Sequence, residues 1–293
     1  MNSIKEYIKK LKKYEPIYVI GHSNIDIDSA VSSKIFSEIL NYFGIDASYA
    51  ILEKNYTFDE YNKKMLDDCT NFKPKVILNK NIKKYNFFLV DHNDYLQSVG
   101  SNANVVGCID HHPNSEKIKN TIITDCCATS LYIYQVFKDI YAFTSEQKFE
   151  IFMAFLNDST FGKSSRFKES DRIIASELGY NMELDSWFKK YFQPTDLGKG
   201  IKNCIFNGHK KYEFNDITFE SGYIETFGTK GLNEYEKIIS SIPNFLGIWI
   251  DYDDPKTYVF FSYKENFIKW KYDFVASRAT TILKDTLKIV NQK

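Results

Sequence analysis

The chain has 293 residues, with Lys+Arg 38 balanced by Asp+Glu 38 and an apolar content of 43%. This composition excludes a disordered tail or a collagen, and the zero net charge argues against a duplex-DNA binder, which needs a basic excess to displace counterions. No uncharged apolar run approaches the ~20 residues of a membrane helix, and lysines punctuate the opening Ile4, Ile8 and Leu11, so no membrane partner and a cytoplasmic location are expected.

An amphipathic helix opens the chain, and short β-rich runs then alternate with helical patterns through the first two thirds, as in βαβ units on a parallel sheet. Residues 17–20 form a strand that runs into the polar turn Gly21-His22-Ser23-Asn24, and a helix is predicted over residues 30–43 with Gly44 as its stop. Residues 87–90 are a second, fully apolar strand ending at Asp91-His92-Asn93-Asp94, and residues 105–109 are a third ending at Asp110-His111-His112-Pro113. Helices follow over residues 129–137, 145–156 with Ser145 as N-cap, and 170–178. Pro194 and Gly198 break the pattern and mark a hinge. Beyond it, strands over residues 217–224, 246–250 and 258–261 and helices over residues 233–240 and 274–289 read as a smaller α+β domain. The expected fold class is therefore α/β: an N-terminal parallel-sheet domain over residues 1–190, a linker over 191–200, and a C-terminal α+β domain over 201–293. The active site is expected in a cleft between them.

Three strands thus deliver His22, Asp26, Asp28, Asp91, His92, Asp110, His111 and His112 at their carboxyl ends, where ligands of open α/β sheets bind. Four of the five histidines fall in this set. Mixed carboxylate and imidazole ligation suits Mn²⁺, Mg²⁺, Co²⁺ or Zn²⁺ better than calcium. Cys69, Cys108, Cys126, Cys127 and Cys204 have no CxxC spacing and read as buried thiols of a reducing compartment, not as ligands. Two divalent ions ~3.5–4 Å apart and bridged by a carboxylate activate a hydroxide for in-line phosphoryl displacement, and a histidine outside the ligand set then protonates the leaving oxygen.

Gly21-His22-Ser23-Asn24-Ile25-Asp26-Ile27-Asp28-Ser29 resembles the first motif of the DHH phosphoesterase superfamily, and Asp110-His111-His112 resembles the motif that names it. The leading Gly-His, the Asp91-His92-Asn93-Asp94 run, Ala128-Thr129 and Asn157-Asp158-Ser159 are most similar to the family II, manganese-dependent inorganic pyrophosphatases. The resemblance implies two divalent cations, Mn²⁺ first with Co²⁺ or Mg²⁺ as substitutes. It implies that His22 and Asp26 hold one, that Asp28, His111 and Asp158 hold the other, and that Asp91 bridges them and is catalytic. His112 would face the substrate near the leaving group as the second catalytic residue, His92 would support substrate binding, and Asp110 would stand behind the metal-bound histidines. Ala276-Ser277-Arg278 resembles the family's phosphate-gripping Ser-Arg motif, which makes Arg278 a substrate ligand in a DHHA2-like second domain, and Lys163 and Arg166, close after Asp158, are further candidates to line the site. Family members pair through an edge of the first domain, so a homodimer is a partner expectation, although no quoted residue locates the interface.

The expected activity is hydrolysis of pyrophosphate or a short polyphosphate, with a small phosphate compound as the only other partner. Ala279 and Thr280 stand where the family carries lysines after the Arg, and no phosphate-gripping lysine is apparent near residues 217–223. These departures motivate the alternative, a phosphodiesterase for nucleotides, cyclic dinucleotides or short oligonucleotides, because a diester carries less charge and offers bases to the abundant aromatics. Gly162-Lys163-Ser164 lacks the upstream glycine of a P-loop and is not read as one.

Overall fold

A computed structural model describes residues 2–53, 56–58, 60–113, 118–214 and 217–291. The chain divides into two compact units, residues 1–191 and 192–293.

In the first unit the order is α1 (Asn2–Leu11), β1 (Ile17–Ile20), β2 (Asn24–Ile25), α2 (Ile27–Tyr42), β3 (Ala47–Leu52), β4 (Thr57–Phe58), α3 (Glu60–Cys69), β5 (Lys75–Ile77), β6 (Asn86–Val90), β7 (Asn104–Asp110), β8 (Thr121–Ile123), α4 (Thr129–Phe137), α5 (Ser145–Asp158), α6 (Glu169–Ser176) and α7 (Leu184–Tyr191). Six strands form one sheet in the order β5-β3-β1-β6-β7-β8, and every pairing is parallel. The chain builds outward from β1 through β3 to β5, then crosses back so that β6 lies on the other side of β1. That reversal is the switch point at which open α/β sheets form their binding crevice. The three strands expected to converge, β1, β6 and β7, are neighbours at it.

The sheet forms because these strands are apolar on both faces. Phe87, Phe88, Leu89 and Val90 are fully buried, as are Ile17, Val19 and Ile20. Ile35, Phe36, Ile39 and Leu40 of α2 are equally buried, and the Phe36 and Phe88 rings meet at 4.6 Å between centroids. Gly107 makes room for this core, because a Cβ there would lie 2.4 Å from the Phe88 ring, and the β6–β7 register shifts at Phe87/Phe88.

The second unit contains α8 (Ile201–Cys204), β9 (Lys210–Phe214), β10 (Ile217–Thr226), α9 (Leu232–Ser240), β11 (Phe245–Asp251), β12 (Lys256–Tyr263), β13 (Asn266–Tyr272), a π-helical turn (Arg278–Ile282) and α10 (Leu283–Asn291). Its sheet runs β13-β12-β11-β10-β9, antiparallel except for β10–β11. Tyr235 of α9 packs on Trp249 of the fully buried β11. No helix among the described residues is long and apolar enough to cross a membrane.

Local boundaries differ from the sequence expectations for identifiable reasons. Helix α2 starts at Ile27 rather than residue 30, because the Asp26 carboxylate caps it by accepting the Ser29 N–H at 2.9 Å. Helix α5 is capped by Thr144, not Ser145, through a reciprocal capping box with Gln147, and it continues to Asp158. The helix expected over residues 274–289 is split by the π turn before α10. Residues 191–200, expected as a linker, are tied to the second unit: the Thr195 N–H donates to the Glu225 carbonyl at 2.7 Å, and its Oγ1 accepts the Glu225 N–H at 3.1 Å.

Candidate metal centre

The loop after β1 is shaped by Gly21, where a Cβ would lie 1.9 Å from Ser29 Oγ. Only glycine lets this loop close over the start of α2, and the closure presents His22 beside the Asp26 cap. Asp28, in the first turn of α2, is fully buried and receives the N-terminus of α4: Thr129 N–H donates to its Oδ2 at 2.6 Å and Ser130 N–H to its Oδ1 at 2.9 Å. A helix N-terminus is a natural partner for a buried carboxylate, which explains why Ala128-Thr129-Ser130 belongs with the site. Asp91 follows β6 at φ +61°, a left-handed conformation that aspartate tolerates better than most residues but that still stores strain. Asp110 ends β7 with His111 and His112 next, and Asp158 ends α5.

These elements bring six side chains together. His22 Nε2 lies 3.2 Å from Asp26 Oδ2 and 3.3 Å from Asp91 Oδ2. Asp91 Oδ1 lies 3.1 Å from His111 Nε2, which is in turn 3.3 Å from Asp158 Oδ2. Candidate ligand atoms of His22, Asp26 and Asp91 fall within 4.8 Å of one another, as do those of Asp28, Asp91, His111 and Asp158. Asp91 is common to both groups. Its Oδ2 and His111 Nε2 are buried without an aligned hydrogen-bond partner, the condition of donor atoms that await a cation. An oxygen and imidazole donor set with no thiolate fits a pair of hard or borderline divalent ions. The five cysteines are buried and unbridged, and none is in these groups.

The electrostatics carry the same signature. Burial and the neighbouring Asp91 charge push the Asp28 carboxyl up to about 7. Burial, then Asp28, Asp26 and Asp91, hold Asp158 well above the usual carboxylate range. Burial opposes a charge on His22, but Asp26 and Asp91 outweigh it and raise the imidazole to about 10. Burial likewise works against an ionised Asp91, yet the His111 and His22 imidazoles close beside it hold it well below its ordinary value. Crowded carboxylates of this kind repel one another until positive charge enters.

Asp110 is fully buried, and its Oδ1 accepts the His111 N–H, the His112 N–H and His112 Nδ1–H at 2.7, 3.0 and 2.8 Å. It therefore orients His112 and the His111 backbone, and not the His111 ring. His112 is a quarter exposed, and burial followed by the His111 charge lowers it to about 4.

Three expected substrate ligands stand differently. His92 is buried, with Nδ1 against the Val90 carbonyl at 2.8 Å and Nε2 against Ser98 Oγ at 2.6 Å. Both nitrogens are spent inside the protein, so the expectation that His92 binds substrate is corrected: it braces the Asp91 loop. Lys163 turns to Asp185 at 2.8 Å and lies over the Phe188 ring. It lines a cavity of about 460 Å³ with Arg172 and Glu183 instead of touching the metal centre. Arg278, in the second unit, donates to the Gly208 carbonyl and to Ser221 Oγ at 3.4 Å, with its guanidinium over Tyr223.

Sequence reasoning brought Arg166 to the site only through its closeness to Asp158, and it passed over Lys210. Arg166 donates to His111 Nδ1 at 2.6 Å, and nothing in its Ser164-Ser165-Arg166 context signals that contact. Lys210 opens β9 and pairs in register with Ser221, the residue that Arg278 touches. A charged edge strand that does not look like a strand hid it.

Residues 16–156 match the profile described as the DHH family, N-terminal domain. A manganese-dependent inorganic pyrophosphatase of Methanothrix thermoacetophila is 25% identical over 231 residues, 71% of this chain and 70% of that protein. Among solved structures, a Methanococcus jannaschii protein assigned as a family II inorganic pyrophosphatase superposes with a TM-score of 0.68 at 19% identity, over 92% of this chain and 97% of that one. An exopolyphosphatase-related protein from Bacteroides fragilis superposes with a TM-score of 0.51 at 16% identity, over 87% of this chain and 83% of that one. With its motifs assembled at the sheet's switch point, residues 16–156 match a DHH-family N-terminal domain, and the chain as a whole resembles the family II manganese-dependent pyrophosphatases.

Proposed function

We propose that the protein is a two-metal phosphohydrolase that cleaves pyrophosphate or a short polyphosphate. The observation that carries this reading is the double ligand group sharing Asp91, with Asp91 Oδ2 and His111 Nε2 buried and unpaired. His22, Asp26 and Asp91 would hold one divalent cation, and Asp28, His111, Asp158 and Asp91 the other, with Mn²⁺ favoured by the relatives' own description. Such a pair supplies Lewis acidity toward phosphoryl oxygens and lowers the pKa of a water at neutral pH.

The chain's own residues do the rest. Asp110 holds the His112 proton on Nδ1, so Nε2 is the nitrogen left to face substrate. An arriving phosphate anion raises the basicity of that imidazole, and Nε2 then takes up a proton from solvent water and delivers it to the leaving oxygen. Thr129 Oγ1, 3.2 Å from Asp91 Oδ1, fixes the shared carboxylate, while the α4 N-terminus fixes Asp28. Arg278, in the second unit, offers a planar fork that suits phosphate, and Lys210 pairs in register with the Ser221 that Arg278 touches. The second unit is on this reading a DHHA2-like substrate-binding domain.

The test is phosphate release from pyrophosphate and tripolyphosphate with Mn²⁺, Co²⁺ and Mg²⁺, run beside a screen of dinucleotides and cyclic dinucleotides. Turnover of the anhydrides supports the proposal. Turnover of diesters alone transfers it to the phosphodiesterase reading, which Ala279 and Thr280 favour.

A further inference from the structure

Helix α5 ends at Asp158, and the chain then passes through three successive left-handed residues, Thr160, Phe161 and Gly162, at φ +48°, +54° and +77°. Two of these are not glycine, and such conformations persist only where the surroundings impose them. Phe161 is buried against the Phe188 ring, and Ser164 Oγ accepts the Arg166 N–H at 3.3 Å. The turn returns Arg166 to the metal centre, where its guanidinium donates to His111 Nδ1 at 2.6 Å and to the His111 carbonyl at 3.3 Å. Among the described residues no other Lys or Arg hydrogen-bonds to a side chain of the centre.

A guanidinium has only N–H donors, so the His111 Nδ1 that faces it presents its lone pair, and the neutral ring carries its hydrogen on Nε2. Nε2 is the nitrogen directed at Asp91 and Asp158, the one a cation would need. A ring that binds metal through Nε2 carries its hydrogen on Nδ1 and requires an acceptor there. Arg166 offers none. Its contact with His111 and a cation on His111 are therefore mutually exclusive, and the carbonyl contact alone is left to keep the released guanidinium near the centre.

We propose that Arg166 is a positioning residue that hands its hydrogen bond from His111 to a phosphate group of the substrate when a cation occupies the Asp28, His111 and Asp158 group. This rests on the two-metal phosphohydrolase reading and deepens it. Metal binding and phosphate recognition become linked: the cation frees the guanidinium, and a phosphate that captures it keeps His111 available.

The experiment is calorimetric titration of Mn²⁺ into metal-stripped protein with and without inorganic phosphate, for the natural chain, Arg166→Ala and Arg166→Lys. Without phosphate, Arg166→Ala binds Mn²⁺ about tenfold more tightly, the equivalent of one charge-assisted hydrogen bond no longer opposing it. Saturating phosphate raises Mn²⁺ affinity of the natural chain about tenfold and of Arg166→Ala hardly at all, with Arg166→Lys between them. Nitrogen-15 spectra of the histidine rings separate this exchange from a mere loss of charge: the natural metal-free protein shows one ring unprotonated at Nδ1 that reverses on adding Mg²⁺, and Arg166→Ala loses that signature before metal is added. Equal Mn²⁺ affinity and an equal phosphate increment in all three proteins overturn the proposal for Arg166 alone. Failure of the natural chain to bind Mn²⁺ overturns the two-metal reading itself.

Discussion

His112 Nδ1 and Asp110 Oδ1 lie 2.8 Å apart, and the same carboxylate oxygen also collects the backbone N–H groups of both histidines. Asp110 Oδ2 meanwhile accepts from Asn93 Nδ2. Asp110 is thus a buried carboxylate with both oxygens occupied, with burial opposing its charge and His112 holding it well below its ordinary value. Buried networks of this kind fix a side chain more firmly than a single bond does.

Asp110→Asn turns one oxygen into a second N–H donor and sets it against an existing donor. The expected result is a fall in kcat of about 10- to 100-fold, as for partners that orient a site's first ring of residues, with destabilisation of about 1–3 kcal/mol. Steady-state kinetics and thermal unfolding of the metal-loaded protein check both.

Asp91→Ala removes the only carboxylate common to both ligand groups. Neither group retains its geometry without it, so bound Mn²⁺ falls from two per chain toward none and turnover drops by at least about 10³-fold, in line with the loss of a metal's Lewis acidity. Equilibrium dialysis with elemental analysis gives the stoichiometry, and retention of two tightly bound ions would contradict the assignment.

Asp158 has the opposite balance. Its buried carboxyl is raised by desolvation and by three neighbouring aspartates, so in metal-free protein it is a liability. Asp158→Asn is expected to raise the melting temperature of the stripped protein at pH 8 while reducing its further rise on adding Mn²⁺. One kcal/mol corresponds to about 2–4 °C in a unit of this size, so a gain of a few degrees is measurable. A drop in the stripped protein would show that Asp158 contributes packing and not repulsion.

How far the sequence could be read follows from what each residue type announces. Phe87 to Val90 is apolar at every position and stops at Asp91, so both the buried strand and the ligand at its end are visible in the residues themselves. Asp158 is visible only through the family motif, since a lone acid at a helix end is common. Lys210, Lys211 and Glu213 hide β9, and Lys269 and Lys271 hide β13, because edge strands carry charges that guard against edge pairing and blur the alternation. His92 illustrates a different limit: its residue type suggests a ligand, but the partners of its two nitrogens, Val90 and Ser98, are decided by how the loop closes. Arg166 reaches His111 only through a left-handed turn that no local pattern specifies.

The pH dependence of the metal-free protein is carried at the centre by three raised groups, His22, Asp28 and Asp158, of which Asp158 acts in the same direction as Asp28. His22 moves from 6.5 to about 10, so its contribution to stability is fully present below 6.5 and is lost as pH rises toward 10. Asp28, raised from 3.8 to about 7, binds a proton in the folded state that the unfolded chain has released, and it also lowers stability as pH rises, up to about 7. His92 and His112, lowered to about 4, act the other way only below 6.5. Between pH 6.5 and 10 the melting temperature of stripped protein is therefore expected to fall, and the increment from added Mn²⁺ to grow, because a cation replaces the proton on His22. Differential scanning calorimetry across that window, with and without metal, checks the sign.

Away from the metal centre, Lys34 tests whether the α2–α5 packing is independent of it. Its Nζ lies 2.5 Å from Glu150 Oε1, which also accepts from Thr70 Oγ1, and Glu150 is fully buried with Oε2 lacking a partner. Lys34→Ala strands that carboxylate, and breaking a buried pair from one side costs about 3–5 kcal/mol. Replacing both residues at once, Lys34→Met with Glu150→Leu, removes the buried charges together and is expected to return stability to within about 1–2 kcal/mol of the natural chain. Because neither residue touches the ligand groups, Mn²⁺ affinity in the double variant should stay unchanged. A loss of affinity there would mean that the Lys34–Glu150 pair sets the position of Asp28 or Asp158 through the helices that carry them.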